Sequence, residues 1–308
     1  MQTLSKAKKN QGWVTLSVKL SLFLILIWIL FLQIKKISWS TDLFKDFNLF
    51  SLFLVVALVP LNWFCEFKKW KISMRYISDS FENKAIKNAF MAGIVTGMLT
   101  PNMLGNFVGR MFYFPRKYRL EIIILTTYSN LSQFIWSIIF GVTSIVVISF
   151  NASIPFFSLS ILIIGFLLIF YFYIDRFLLL FPFLKKWVKR FISFNLTNQL
   201  KWQLLLWSGV RNLIFSVQFL FVLHFFNQDI SFQLLLWIWQ VYLFVTLSPS
   251  LFLGKIVIRE SIAVWVLTEA GINPTIVVFS SLTIWLLNLF IPTITSLVFY
   301  KSPKIESE

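Results

Sequence analysis

The sequence is poor in the side chains that most often carry out chemistry. Cys65 is the only cysteine and His224 the only histidine. An intramolecular disulfide is therefore impossible, and a zinc site built from histidine and cysteine is excluded. The P-loop, the HExxH zinc motif and the GxSxG nucleophile motif are also missing from the sequence. We therefore predict that the protein binds no metal ion and no cofactor.

Charged residues are scarce as well. Only 13% of the residues are charged, whereas 58% are hydrophobic and 19% are aromatic, and the mean hydropathy is +0.80. Apolar runs recur along the whole sequence and leave no room for a large soluble domain. This composition predicts one polytopic membrane domain over residues 1–308. We expect it to be all-α, because helices satisfy their backbone polar groups inside a bilayer.

Basic residues outnumber acidic ones by 28 to 12, which gives a net charge of +16. In a soluble protein this excess would suggest nucleic acid as a partner, but here the cations lie in short loops between apolar runs. That is the positive-inside pattern, with anionic lipid headgroups as the counter-charge. We therefore predict membrane lipids as partners, no nucleic acid, and a place in the inner (cytoplasmic) membrane with both termini cytoplasmic. A membrane-protein partner or a homo-oligomer stays open.

Six apolar stretches are long enough to cross a bilayer as helices. The first lacks a small-residue cleavage site, so we expect it to be retained as a helix. The loops Lys68–Lys87, Arg110–Arg119 and Asp175–Lys201 are rich in lysine and arginine and are expected in the cytoplasm. The six predicted spans are Val14–Leu32, Asn48–Phe67, Ile122–Phe150, Phe156–Ile174, Trp202–Phe226 and Thr275–Tyr300.

Two further apolar stretches are interrupted by proline and glycine in the same order. The pattern consists of Thr100, Pro101, Gly105 and Arg110 in the first copy and of Ser248, Pro249, Gly254 and Arg259 in the second. Proline removes a backbone donor and glycine adds backbone freedom. Such breaks belong where the backbone is buried in protein or lines a polar cavity. Paired broken segments in matching halves indicate a transporter-like site.

The first broken element, Asn88–Leu104, can be placed in two ways. If it spanned the bilayer, the loop Arg110–Arg119 and every later basic loop would face outward. If it dips in and returns, Arg110–Arg119 stays cytoplasmic, and we prefer this re-entrant placement. The second hairpin, Phe232–Leu247 with Ile256–Ala270, then enters from outside, so residues 14–150 and 156–300 form an inverted repeat. The competing description is about eight membrane helices, with both broken elements spanning fully.

Ionisable and polar side chains near the breaks are the candidate substrate-binding residues. Charged groups at membrane depth are costly and usually face the protein interior or a cavity. We predict that Arg259 meets a lipid phosphate while Glu260 orients it or carries a proton; an internal ion pair is the alternative. Arg110 can clamp a phosphate through its planar guanidinium, or it can set topology within a basic loop. The full set is Arg110, Arg259, Glu260, Arg211, Asn102, Asn106 and Lys255.

Arg211 lies eight or nine residues into a predicted span, roughly 12–14 Å deep at about 1.5 Å per residue. Its side chain cannot easily reach the interface from there, so we expect a buried partner, either Glu260 or Glu66. The prolines and glycines of the breaks are predicted to shape the backbone, so that half-helix ends direct dipoles and free amides at an anion; ordinary kinks are the alternative. These shape residues are Pro101, Gly105, Pro249 and Gly254.

At these residues the sequence resembles the transmembrane region of lysylphosphatidylglycerol synthases and the stand-alone flippase-like proteins related to it. The resemblance covers most of the chain, from about Asn62 to Ser296. Its motifs are the two broken stretches described above, the second continuing with Glu260 and closing at Gly271. A further matching stretch consists of Asn62, Trp63, Glu66, Lys69 and Trp70.

Two positions depart from the family pattern. Asn106 stands where the family usually has glutamate, and Met103 stands where a basic residue is common. The soluble aminoacyl-transfer domain of the full synthases has no counterpart in this sequence, so lysine transfer is not expected. The resemblance implies movement or binding of a lipid within the membrane, either an anionic phospholipid or a polyprenyl-phosphate-linked lipid.

The first hypothesis is therefore a non-enzymatic lipid translocator or lipid-binding protein. The alternative from another class is a membrane enzyme acting on a lipid-linked substrate, with Glu260 as general base. An accessory subunit of a synthase is the third hypothesis.

Overall fold

The computed structural model describes residues 21, 24, 28, 47–98, 100, 105–148, 154–179, 196–248 and 254–299, and the regular elements among them are all helices. A 3-10 turn, Arg116–Tyr118, precedes the fourth helix, and a π-helical turn, Leu286–Phe290, joins the last two. The helices are α1 (Leu49–Ile77), α2 (Asn83–Met98), α3 (Gly105–Met111), α4 (Arg119–Ile148), α5 (Ile154–Leu179), α6 (Asn198–Phe225), α7 (Phe232–Leu247), α8 (Gly254–Glu269), α9 (Pro274–Trp285) and α10 (Ile291–Phe299).

Five helical segments are long and apolar enough to cross a membrane. They are Leu49–Ile77, Arg116–Ile148, Phe157–Ile174, Asn198–Phe225 and Pro274–Phe299. Each lies on one of the six predicted spans, so the prediction of an all-α membrane protein is confirmed. The remaining predicted span, Val14–Leu32, lies outside the described residues apart from Ser21, Leu24 and Trp28.

Two predicted loop boundaries are wrong. The basic loop expected to begin at Lys68 is helical in its first half, because α1 continues to Ile77. The loop expected from Arg110 loses that residue to α3. In both places a cation within a predicted cytoplasmic loop is buried, with Lys69 1% and Arg110 2% exposed. A nearby carboxylate, described below, makes that burial tolerable.

Helices α1 and α6 lie antiparallel and define two ends of the bundle. At one end the backbone N–H of Asn48 donates to the carbonyl of Phe225 at 3.2 Å. At the other end the N–H of Thr197 donates to the hydroxyl of Tyr76 at 3.2 Å, beside the last residue of α1. We call these the Asn48 end and the Ile77 end. The rings of Phe226 and Phe279, 6.1 Å apart, place the start of α9 at the Asn48 end.

Helices α2 and α3 form an antiparallel hairpin whose arms approach each other closely. Gly105 lies against the backbone of Thr96, and Gly109 lies against the carbonyl of Ala92, so a Cβ atom at either glycine would overlap these neighbours. Small residues at four-residue spacing permit such an approach between membrane helices. Helix α2 begins and α3 ends at the Ile77 end, where one apolar cluster contains Ile77, Phe81, Ile86, Phe114, Tyr118 and Ile122.

Helices α7 and α8 form a second hairpin, which starts from the opposite end of the bundle. Helix α7 begins shortly after α6 ends at Phe225, and α8 ends shortly before α9 begins at Pro274, so both arms meet the Asn48 end. Gly271 closes the turn after α8 with a φ of +83°, a left-handed conformation that glycine adopts without a Cβ penalty.

The inner ends of the two hairpins reach the same part of α9. Met98, the last residue of α2, packs on the apolar cluster of Leu282 and Trp285. Arg259, near the start of α8, donates from its guanidinium to the carbonyl of Ser281 at 3.2 Å. Because Ser281 and Leu282 are adjacent, the hairpins approach one turn of α9 from opposite ends of the bundle.

Candidate functional site

One carboxylate in α1 is surrounded by three cations from three different helices. The side chain of Glu66 lies 2.9 Å from Lys69, 3.6 Å from Arg110 and 3.4 Å from Arg211, measured between nitrogen and oxygen atoms. We call these four residues the Glu66 cluster. Lys69 follows Glu66 by one helical turn, so their side chains share a face of α1. Arg110 and Arg211 come from α3 and α6.

The close packing of the first hairpin brings Arg110 into the cluster. Gly93 of α2 leaves room for the side chains of Asn106 and Arg110, which a Cβ atom at this position would overlap. The guanidinium of Arg110 also lies over two aromatic rings, 4.6 Å from the centroid of Trp70 and 5.5 Å from that of Phe90. Cation–π contacts of this kind are strongest where water is excluded.

The Glu66 cluster carries more positive than negative charge in a setting with little water. The side chains of Lys69 and Arg110 are 2% and 3% exposed, and those of Glu66 and Arg211 are 12% and 19% exposed. The electrostatic partners of Glu66 are the three cations, and the carboxylate acting on Lys69 and Arg110 is Glu66 alone among the described residues. With every group ionised, the cluster has a net charge of +2.

Two polar atoms beside the cluster make no hydrogen bond with any described residue. The Nε atom of Arg110 and the Oδ1 atom of Asn106 are both buried without a hydrogen bond among the described residues. Asn106 precedes Arg110 by one turn on α3, and its side chain is neutral. Buried polar groups are rarely left unsatisfied in native proteins, so these two atoms mark an unusual polar environment beside the cluster.

A chain of side-chain hydrogen bonds connects the cluster to the π-helical turn after α9. Arg211 donates through Nε to Asn62 at 3.0 Å, and Asn62 donates to Asn288 at 2.7 Å. Asn288 in turn donates to Gln218 at 2.7 Å, and Gln218 donates to the carbonyl of Val55 at 2.9 Å. The π-helical turn holds Asn288 buried among these partners, and the chain fixes the position of Arg211.

Lys69 is held from a second direction by a pair of serines. Its ammonium donates to the hydroxyl of Ser208 on α6 at 3.2 Å, and that hydroxyl lies 3.0 Å from the hydroxyl of Ser132 on α4. The cluster is therefore fastened to four helices, α1, α3, α4 and α6. Fixed donors of this kind can bind an anion without having to reorganise.

The second hairpin contains a different arrangement of charges. Arg259 and Glu260 are neighbours in sequence, and their charged atoms are 4.0 Å apart. Arg259 also donates to the carbonyl of Ser281, and its side chain is 21% exposed. The Nε atom of Arg259 and the hydroxyl of the buried Ser280 have no hydrogen-bond partner among the described residues. The pair is neutral overall, in contrast to the Glu66 cluster.

An apolar groove lies beside the first hairpin at the Ile77 end. Its volume is about 700 Å³. Phe90 lines this groove and also lies under the guanidinium of Arg110, so the groove and the Glu66 cluster share one aromatic side chain. Lys84 and Lys87 are exposed at its rim. The lining consists of Trp63, Phe64, Phe67, Asn83, Lys84, Lys87, Asn88, Phe90, Met91 and Phe299.

The structure brings some predicted site residues together and separates others. Arg110, Arg211 and Asn106 meet at the cluster. Of the two acidic partners expected for Arg211, Glu66 and Glu260, the structure shows Glu66. Arg259 and Glu260 lie at the other hairpin. Each hairpin glycine, Gly105 and Gly254, is the first residue of a return helix. Outside the described residues lie Pro101, Asn102 and Pro249, together with the side chain of Lys255.

Sequence reasoning missed Lys69 as a member of the site. Lys69 was assigned to a cytoplasmic loop because six basic residues follow one another within Lys68–Lys87. The available signal was its spacing from Glu66, three residues apart on one helical face. Both residues belong to the stretch that resembles the family.

Comparison with known proteins identifies the sequence as one of a family. The model of the lysylphosphatidylglycerol synthase transmembrane region matches residues 15–296, which is most of the chain. No curated protein and no solved structure matches the chain.

Proposed function

We propose that this chain, which belongs to the family of the lysylphosphatidylglycerol synthase transmembrane region, binds a membrane lipid by its anionic headgroup and moves it between leaflets. Family membership makes it a membrane protein that acts on lipids. Binding of an anionic headgroup is supported by the composition of the Glu66 cluster, in which three cations share one carboxylate.

The excess of buried cations favours an anionic ligand. A buried charge is costly unless it is paired and hydrogen-bonded, and ionisable residues inside membrane proteins mark substrate pathways or relays. The headgroup phosphate of a lipid would supply the missing negative charge. The guanidinium groups of Arg110 and Arg211 offer planar pairs of donors, which match the oxygen atoms of a phosphate group.

The lengths and directions of the hairpins support a re-entrant, inverted arrangement. Helices α2, α7 and α8 have 16 residues each, which corresponds to about 24 Å, whereas the hydrocarbon core is about 30 Å thick. The hairpins start from opposite ends of the bundle and converge on one turn of α9. We propose that the site between them is reached alternately from the two sides of the membrane.

The apolar groove supplies a path for the acyl chain of the lipid. Its aromatic wall, including Trp63 and Phe90, suits a hydrocarbon chain, and its rim lysines suit an acidic membrane surface. In this arrangement the acyl chain of the lipid lies in the groove, while its phosphate passes Phe90 to reach Arg110. The phosphate is therefore paired with protein cations while it crosses the hydrocarbon core.

We assign the Ile77 end to the cytoplasmic side. Six exposed basic residues of the described chain lie there, beside the exposed Asp79 and Glu82, whereas Asp229 is exposed at the Asn48 end. The six are Lys71, Lys84, Lys87, Arg116, Lys117 and Arg176. This distribution follows the positive-inside rule. It places the groove and its lysines against the cytoplasmic leaflet, whose anionic lipids give it a negative surface potential.

Reconstitution into liposomes tests the proposal. The wild type should move fluorescent anionic phospholipid between leaflets, and Arg110→Gln should reduce the rate at least tenfold while the protein stays folded. The variant removes one of three cations that share a single carboxylate, so the fold loses no necessary counter-charge. Lys117→Gln, which removes an exposed cation near the same end, is the matched control and should transport normally.

Two results would contradict the proposed translocation. One is the absence of lipid movement by the wild type across a broad panel of anionic lipids. The other is the appearance, detected by mass spectrometry, of a new lipid species that depends on Glu260, which would favour the enzyme hypothesis.

A further inference from the structure

We propose that the Glu66 cluster selects a phosphomonoester, the headgroup of a lipid monophosphate, over the phosphodiester of ordinary glycerophospholipids. The inference rests on the lipid-binding function proposed above and narrows its substrate class. It follows from the number of charges at the site and from one hydrogen-bond donor that these charges leave unused.

The charge balance of the cluster matches a dianion. Lys69, Arg110 and Arg211 carry three positive charges and Glu66 one negative charge, which leaves an excess of two. A phosphodiester carries one negative charge and would leave the site with an excess of one. A phosphomonoester carries about −1.5 to −2 at neutral pH and would neutralise it almost fully. The difference matters because the site is nearly buried, where charges are poorly screened.

One donor of the cluster lacks a close acceptor among the described residues. Arg110 approaches Glu66 only at 3.6 Å, longer than a normal hydrogen bond, and its buried Nε has no acceptor among the described residues. A phosphomonoester offers three strong acceptor oxygens, one more than the two non-bridging oxygens of a diester. The extra oxygen therefore has an unused donor to meet.

Asn106 keeps the excess charge high. Its side chain is buried beside Arg110, where a Cβ atom at Gly93 would overlap both residues. An aspartate at this position would put a second carboxylate next to the guanidinium and lower the excess from two to one. The neutral amide thus sets the charge of the site, and position 106 is a specificity-determining position.

The test compares two lipids with identical acyl chains, phosphatidic acid as the monoester and phosphatidylglycerol as the diester. Purified protein in a non-ionic detergent is titrated with each at a pH of about 8, above the second phosphate pKa of about 6. Phosphatidic acid should bind the wild type at least tenfold more tightly. Asn106→Asp should reduce that ratio to about one, while Asn198→Asp, at an exposed position of α6, should leave it unchanged.

The remaining outcomes separate this inference from the function on which it rests. Equal binding of the two lipids by the wild type would overturn the monoester preference and leave lipid binding intact. Binding of neither lipid would overturn both. Inorganic phosphate, titrated alone, should bind far more weakly than phosphatidic acid; equal affinity would show that free phosphate, and not a lipid, is the ligand. An unchanged ratio in Asn106→Asp would remove position 106 from the specificity argument.

Discussion

The two hairpins share a sequence pattern but differ in how their arginines are balanced. In the first hairpin, Arg110 shares one carboxylate with Lys69 and Arg211, which come from α1 and α6. In the second, Arg259 pairs with its neighbour Glu260 and donates a hydrogen bond to the carbonyl of Ser281. The first charge site is completed by other helices, whereas the ion pair of the second lies within α8 itself.

This difference shows that a repeated motif does not imply two equivalent sites. Only the first hairpin, among the described residues, lies in a cluster with two surplus positive charges. The neutral pair of the second hairpin has less to gain from binding an anion. The predicted symmetry of the chain therefore leaves room for an electrostatically asymmetric mechanism.

The largest effect is expected from removing Glu66, the α1 carboxylate that balances Arg110 of the first hairpin. Glu66→Gln leaves three cations without a counter-charge and should destabilise the protein by about 3–5 kcal/mol, the usual cost of breaking a buried ion pair. Glu260→Gln should cost much less, because Arg259 keeps the carbonyl of Ser281 and is partly exposed. Thermal unfolding of both variants in one detergent measures the difference; equal losses would contradict the asymmetry.

A smaller effect is expected from the packing of the first hairpin. Gly105→Ala forces a methyl group against the backbone of Thr96 and should cost about 1–3 kcal/mol, as overpacking usually does. Gly165→Ala is the control, because no atom lies within 4 Å of its Cβ position. The control should be about 1 kcal/mol more stable, since alanine is the better helix former. Unchanged stability in Gly105→Ala would mean that the arms can separate at little cost.

Cysteine labelling from outside the membrane tests which side each loop faces. The substitutions lie at exposed positions and are expected to leave stability unchanged. In a Cys65→Ser background, cysteines are placed at the exposed positions Lys84, Lys117, Asp229 and Asn273. If both hairpins re-enter, Lys84→Cys and Lys117→Cys are protected from an external impermeant reagent, whereas Asp229→Cys and Asn273→Cys react. Opposite reactivity at positions 84 and 117 would show that the first hairpin spans the bilayer.

Hydropathy alone determined most of the membrane architecture. The described long helices all lie on predicted spans, because an apolar run of sufficient length has few alternatives to a helix in a bilayer. The positions of the breaks were also readable, since proline and glycine act on their own backbone. The depth of Arg211 was enough to predict a buried acidic partner, and Glu66 was one of the two named.

Only the tertiary structure decided which charges share a site. Arg211 and Asn62 are 149 positions apart. No local sequence pattern predicts that α6 packs against α1 in the register that joins them. Lys69 and Arg110 resemble ordinary loop cations in the sequence, because basic runs beside apolar segments usually mark a cytoplasmic loop. The packing of α3 on α2 through glycine removed Arg110 from water, and the ion pair with Glu66 made the burial of Lys69 affordable. The excess charge is a sum over three helices, so it exists only once those helices are packed.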